Sequence, residues 1–129
     1  LIYFMQHGAC LPRQINPEQP LSPVGRGQVE KSARAMRLLG VRPEAMAASN
    51  KLRATQTAEI VARATGFDSR RIARSEALKP SAPAEAGHLP GLENGGLLCI
   101  DVPHLAARNG NLLWLLKPQH LQLLAGTAV

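Results

Sequence analysis

Aromatic side chains are nearly absent: two Phe, one Tyr and one Trp serve a chain of 129 residues. The core must therefore be aliphatic, which suits α/β layers of apolar strands and alanine-rich helices. The same shortage leaves few rings on which bases could stack. Dense basic runs are missing too, since Arg26, Arg34, Arg37, Arg42, Arg53, Arg63, Arg70, Arg71 and Arg74 are scattered along the chain. A nucleic-acid-binding module, which would bind with steep salt dependence, therefore ranks last among the readings. Cysteine is limited to Cys10 and Cys99, too far apart for metal-type spacing and expected to be two reduced cytosolic thiols. No apolar run approaches the ~18–20 residues of a membrane span, and no charged segment with a cleavage site is seen. The expectation is a soluble, cytoplasmic protein with no membrane partner. Phosphate-binding loops of the GxxxxGK[ST] type and metal-ligand clusters are also lacking, so neither a metal nor a cofactor is expected.

What is present is an ordinary globular composition. Apolar residues at 45% and charged residues at 19% exclude a disordered chain, and the length suits one domain over residues 1–129. Lys and Arg outnumber Asp and Glu by 15 to 9, a balance that attracts phosphorylated substrates and acidic protein faces.

Residues 1–6 of "LIYFMQHG" read as a buried strand that ends on Gln6-His7-Gly8. A Pro-, Gln- and Asn-containing loop occupies 9–21. Ser22-Pro23 then supplies an N-cap and a proline at the first helical position. Val29, Ala33, Met36 and Leu39 repeat at helical spacing, and Gly40 ends a helix predicted over 23–39. A short apolar segment, 46–49, leads to Ser49 and Asn50 as caps of a second helix over 51–65, which Gly66 stops. In that helix Leu52, Thr55/Gln56, Glu59/Ile60 and Arg63 follow one track, and Ala54, Ala58, Val61 and Ala62 form the buried one. A third strand is expected within 71–78. This alternation predicts a three-layer α/β fold, with a mostly parallel central sheet and helices on both faces. The apolar runs 95–102 and 110–116 add a C-terminal antiparallel hairpin that Pro118 stops.

In open α/β sheets ligands gather at the carboxyl ends of the strands. His7 falls there, and Gly8 lets a ligand approach the backbone. Arg53 lies in the first turn of the second helix, where free N–H groups and a guanidinium fork together suit a phosphoryl group. His88, in "GHLPGL", is again preceded by glycine. Each residue has a plainer explanation: a histidine that only hydrogen-bonds, a solvated surface arginine, a turn before Pro90. Their combination points to a phosphate pocket.

The combination also resembles the histidine phosphatase superfamily (phosphoglycerate-mutase-like), and within it the small bacterial phosphohistidine phosphatases of the SixA type. "YFMQHG" is similar to the family's strand with Arg-His-Gly, and "PLSPVGRGQ" to its Pro-Leu-Thr/Ser-x-x-Gly segment. "SNKLRATQTAEIVA" is similar to its Ser-x-x-x-Arg-Ala-x-Gln-Thr-Ala helix start, and "GHLPGL" to its second-histidine motif. The resemblance implies a nucleophile at His7, a phosphate clamp at Arg53, a second histidine flanking the phosphate at His88, and phosphate contacts from Gln6 and Gly8. Glu85 is a candidate general acid, with a solvated loop carboxylate as the simpler alternative. His104, His120 and Trp114 fall outside the motifs and are taken as surface or structural residues.

Two departures stand out. Gln6 occupies the position of the family's usual arginine, removing a positive charge and leaving an amide donor; outright loss of such a donor costs about 3–4 kcal/mol of transition-state stabilisation. Around His88, "SAPAEA" runs directly into Gly87 and "GLE" directly into "NGGLLCID". The family pattern has a further strand and one or two helices there, so either residues are left out at 86/87 and 93/94, the favoured expectation, or a genuine deletion changes the placement of His88. The expected partner is a phosphorylated protein carrying phosphohistidine, or a small phosphomonoester. The competing readings are a broad phosphomonoesterase on the same fold and a weakly active phosphate-binding regulatory module; oligomeric state is open.

Overall fold

A computed structural model describes residues 1–75, 97–101, 111–116, 120 and 126. The elements in order are β1 (Ile2–Met5), α1 (Pro23–Leu38), β2 (Ala47–Ala48), α2 (Leu52–Thr65), a 3₁₀ turn (Ser69–Arg71), β3 (Ala73–Arg74), β4 (Leu97–Asp101) and β5 (Asn111–Leu116). The architecture is α/β, as predicted. β2 and β3 pair in parallel, with Ala47 opposite Ala73 and Ala48 opposite Arg74. The C-terminal hairpin is antiparallel, with Leu97 opposite Leu116 and a bulge where the register shifts between Cys99 and Ile100. β1 joins this hairpin rather than the parallel pair among the described residues, running antiparallel to β4 with Tyr3 opposite Cys99. The alternation of strand and helix carries no information about that long-range pairing.

Both helices start and stop for local reasons. Ser22 caps α1, its hydroxyl accepting the Gly25 N–H at 3.0 Å, and Pro23 gives up no needed donor at the first position. At the other end Gly40 adopts φ +78°; its N–H bonds to the Arg37 carbonyl and that of Val41 to the Met36 carbonyl, closing the helix. Gly66, at φ +75°, ends α2 in the same way, with the Phe67 N–H on the Ala62 carbonyl. The start of α2 differs from expectation. Its cap position is Lys51, with no side-chain capping bond, and Ser49 Oγ only accepts the Lys51 N–H at 3.4 Å.

The core gathers Leu21, Val29, Ala33, Met36 and Val41 with Ile60 and Val61, and Tyr3 and Met5 of β1 pack against it. α1 and α2 thus lie against each other under the strand that delivers Gln6 and His7. Two expectations are corrected here. Ile60 and Thr55 are buried, because α2 is covered on more than one side. Leu39, beyond the last full turn of α1, is 44% exposed. The expected residue gaps at 86/87 and 93/94 lie outside the described residues.

Candidate active site

His7 follows directly on β1 and is half-buried. Its Nδ1 donates to the Gly8 carbonyl at 2.7 Å, and its Nε2 accepts from Arg53 Nε at 3.3 Å. A carbonyl can only accept and a guanidinium can only donate, so both neighbours select one neutral tautomer, with hydrogen on Nδ1 and the lone pair on Nε2. Burial holds the imidazole pKa below its ordinary 6.5; the Gly8 carbonyl bond pulls it upward, and the Arg53 charge adds to the lowering. The ring is therefore neutral at neutral pH. A neutral imidazole with its lone pair beside a guanidinium can act as a nucleophile toward an electrophile that also attracts cations, and a phosphoryl group is such an electrophile.

The backbone around Gly8 is fixed from below. A Cβ there would lie 2.6 Å from Val29 Cγ2 and 2.7 Å from the Gly25 carbonyl oxygen, so only glycine fits. Gly25 in turn admits the Ala9 carbonyl, which would collide with any Cβ on that helix face. The Ala9 carbonyl also accepts the Ser22 N–H at 3.0 Å and the Ser22 hydroxyl at 3.2 Å. Gly25 and Ser22 of the "PLSPVGRGQ" segment thus seat the strand end on α1. Gln28 Oε1 takes the Ala9 N–H at 3.4 Å, and Gln56 Oε1 takes the Leu21 N–H at 2.8 Å.

Thr57 is the functional residue that the sequence analysis left without a role. Its Oγ1 accepts the Gly8 N–H at 3.3 Å and donates to the Arg53 carbonyl at 2.8 Å. One hydroxyl therefore ties Gly8, whose carbonyl accepts from the His7 ring, to the helix turn that carries Arg53. The local half was legible, since residues four apart on a helix share a face. The contact with Gly8, 49 positions away, was not.

The structure brings His7, Gly8 and Arg53 into contact, while Gln6 is half-buried and directly precedes His7 in the chain. His88 and Glu85 lie outside the described residues. Among the described residues no group of three His, Cys, Asp or Glu side chains could hold a metal ion. No described helix is long and apolar enough to cross a membrane. Beside the site opens a cleft of about 560 Å³, lined in part by Arg53, Gln56, Lys51, Arg13 and Arg74.

No curated protein matches the sequence. Among solved structures, the protein histidine phosphatase SixA complexed with tungstate superposes with a TM-score of 0.78 at 17% identity, over 92% of this chain and 97% of that one. The protein described as the putative phosphohistidine phosphatase SixA from Agrobacterium tumefaciens gives 0.66 at 18% identity, over 90% and 96%. Those likenesses establish a shared phosphoglycerate-mutase-like fold. Residues 2–79 match the sequence pattern of the histidine phosphatase superfamily, branch 1, a span that contains β1, both helices, His7 and Arg53. The chain belongs to the histidine phosphatase superfamily.

Proposed function

We propose that this phosphatase removes the phosphoryl group from protein phosphohistidine through a covalent intermediate on His7. The observation that carries the reading is the pair of hydrogen bonds on the imidazole. Gly8 holds the Nδ1 proton at 2.7 Å, which leaves Nε2 as the reactive atom, and Arg53 stands 3.3 Å from that atom. In the first step Nε2 attacks phosphorus in line. The P–Nε2 bond forms as the P–N bond to the substrate imidazole breaks, and that ring leaves with the bonding pair, neutral when its other nitrogen carries a proton. Water then attacks the phosphohistidine, releasing inorganic phosphate and restoring His7.

Phosphoryl transfer asks a protein mainly for positioning and for charge on the equatorial oxygens. A phosphoryl oxygen would draw the Arg53 guanidinium off Nε2, freeing the lone pair at the moment substrate arrives. His88 would flank the phosphate on the other side, as the family resemblance implies. Neutral imidazole is a good leaving group, so this substrate needs a general acid less than an alkoxide does. Glu85 is the candidate acid for substrates that need one.

A test compares turnover of a phosphohistidine protein with that of p-nitrophenyl phosphate. The account expects a higher kcat/KM for phosphohistidine; a clear preference for the ester would favour a broad phosphomonoesterase. Gln6 motivates a second reading, a phosphate-binding regulatory module, because one cation fewer stands at the phosphate. Phosphate affinity with no turnover of either substrate would select it.

A further inference from the structure

The cleft beside His7 holds more positive charge than one phosphoryl group needs. Arg13 comes from the 9–21 loop, Lys51 and Arg53 from the start of α2, and Arg74 from the end of β3. Segments distant in sequence therefore converge on one concavity, off the carboxyl ends of the parallel pair β2 and β3, where ligands of α/β sheets collect. Two carboxylates, Glu18 and Glu59, also line it, so four cations face two anions. Arg13, Lys51 and Arg74 are exposed and form no ion pair among the described residues; the ion pair seen there, Arg70 with Asp68, is not part of the cleft lining. At about 560 Å³ the cleft is sized for several side chains rather than for a lone phosphate.

We propose that this cleft binds acidic residues flanking the phosphorylated residue of a protein substrate, with Arg13, Lys51 and Arg74 as specificity determinants. Arg53 belongs to both regions, touching His7 and lining the cleft, so a chain whose phosphoryl group meets His7 lays its neighbours across the other three cations. Charge complementarity of this kind speeds encounter and rejects basic partners. A protein fits better than a single-stranded nucleic acid, because the cleft lining contains no aromatic side chain to stack a base. The inference depends on the phosphatase reading only for what happens to the phosphoryl group.

The experiment uses the full chain and two peptides carrying a stable phosphonate analogue of phosphohistidine, identical except for Asp or Asn on either side. Exposed ion pairs each contribute a factor of about 1.4–5, so three of them give the Asp peptide between about 3-fold and 100-fold tighter binding by calorimetry. That advantage is expected to shrink as salt rises and to vanish in the combined Arg13→Gln, Lys51→Gln, Arg74→Gln variant. Equal binding of the two peptides, or an advantage that persists in the triple variant, would overturn the proposal. So would an oligonucleotide that displaces the phosphonate peptide better than an unmodified Asp peptide does. Turnover of phosphoramidate by the wild type is read separately. A protein that hydrolyses it but ignores the flanking charge loses only the cleft assignment; one that discriminates the peptides but hydrolyses nothing keeps the cleft and loses the phosphatase reading.

Discussion

Replacing Thr57 with valine keeps the side-chain volume and removes one hydroxyl. Two bonds go with it: the Gly8 N–H loses its acceptor at 3.3 Å and the Arg53 carbonyl loses a donor at 2.8 Å. The carbonyl remains within the helix ladder, whereas the buried Gly8 N–H loses the partner that the fold provides, and an orphaned buried donor costs about 1–3 kcal/mol. The 3.3 Å length puts this bond at the weak end of the range, which favours about 1–2 kcal/mol. Over 129 residues, at about 2.1 cal/mol/K of unfolding entropy per residue, that lowers Tm by about 4–7 °C. The larger effect is expected on catalysis. Gly8, whose N–H is released, also holds the His7 ring through its carbonyl, and a displacement near 1 Å at a reacting atom costs about 100-fold in rate. Thr57→Val should therefore lower kcat by between about 10- and 100-fold with little change in KM, and Thr57→Ser, which keeps the hydroxyl, should restore most of it. A valine variant with wild-type kcat and Tm, or a serine variant no better than valine, would refute the coupling of Gly8 to α2.

Further expectations follow from the same contacts. Gly25→Ala drives a Cβ into the Ala9 carbonyl and should cost about 3 kcal/mol or more, seen as lost soluble yield or a melt lowered by more than about 10 °C; an unaltered melt would contradict the seating of the strand end on α1. The His7 ring should titrate below 6.5 by NMR, and Arg53→Gln should raise its midpoint by removing a cation, whereas a fall would contradict the stated cause. Because the folded-state value is depressed, this histidine leaves stability untouched above the unfolded value of 6.5 and lowers it as pH falls through the folded value, a loss that His7→Gln should reduce. Gln6→Arg supplies the charge found at the family's usual position and should raise kcat/KM toward p-nitrophenyl phosphate by adding a cation for the phosphoryl oxygens; an unchanged or lower value would show the amide to be sufficient.

Much of the fold was written locally. Ser22-Pro23 and Gly40 bracket α1 within one residue of its observed limits, and the two apolar runs near the C-terminus form the hairpin. What escaped was non-local. β1 lies beside β4 because of pairing across some ninety residues, and no strand periodicity records a partner at that distance. Lys51 rather than Ser49 or Asn50 caps α2, since the loop enters the helix one residue later than side-chain preference alone suggests. In the site, the order of His7, Gly8 and Arg53 was legible from their positions at a strand end and a helix start. The Thr57 hydroxyl was not, because its meaning depends on a peptide brought to it only by packing of α1, α2 and the strand end.

The central claim is that His7 Nε2 takes the phosphoryl group. The most direct test is to mix the protein with a phosphohistidine protein, quench in alkali within a turnover, and locate phosphate on peptides by mass spectrometry, for wild type and His7→Ala. The account predicts a phosphorylated peptide containing His7 together with release of phosphate, and the loss of both in the variant. Turnover that survives His7→Ala, or phosphate found on another residue, would contradict it.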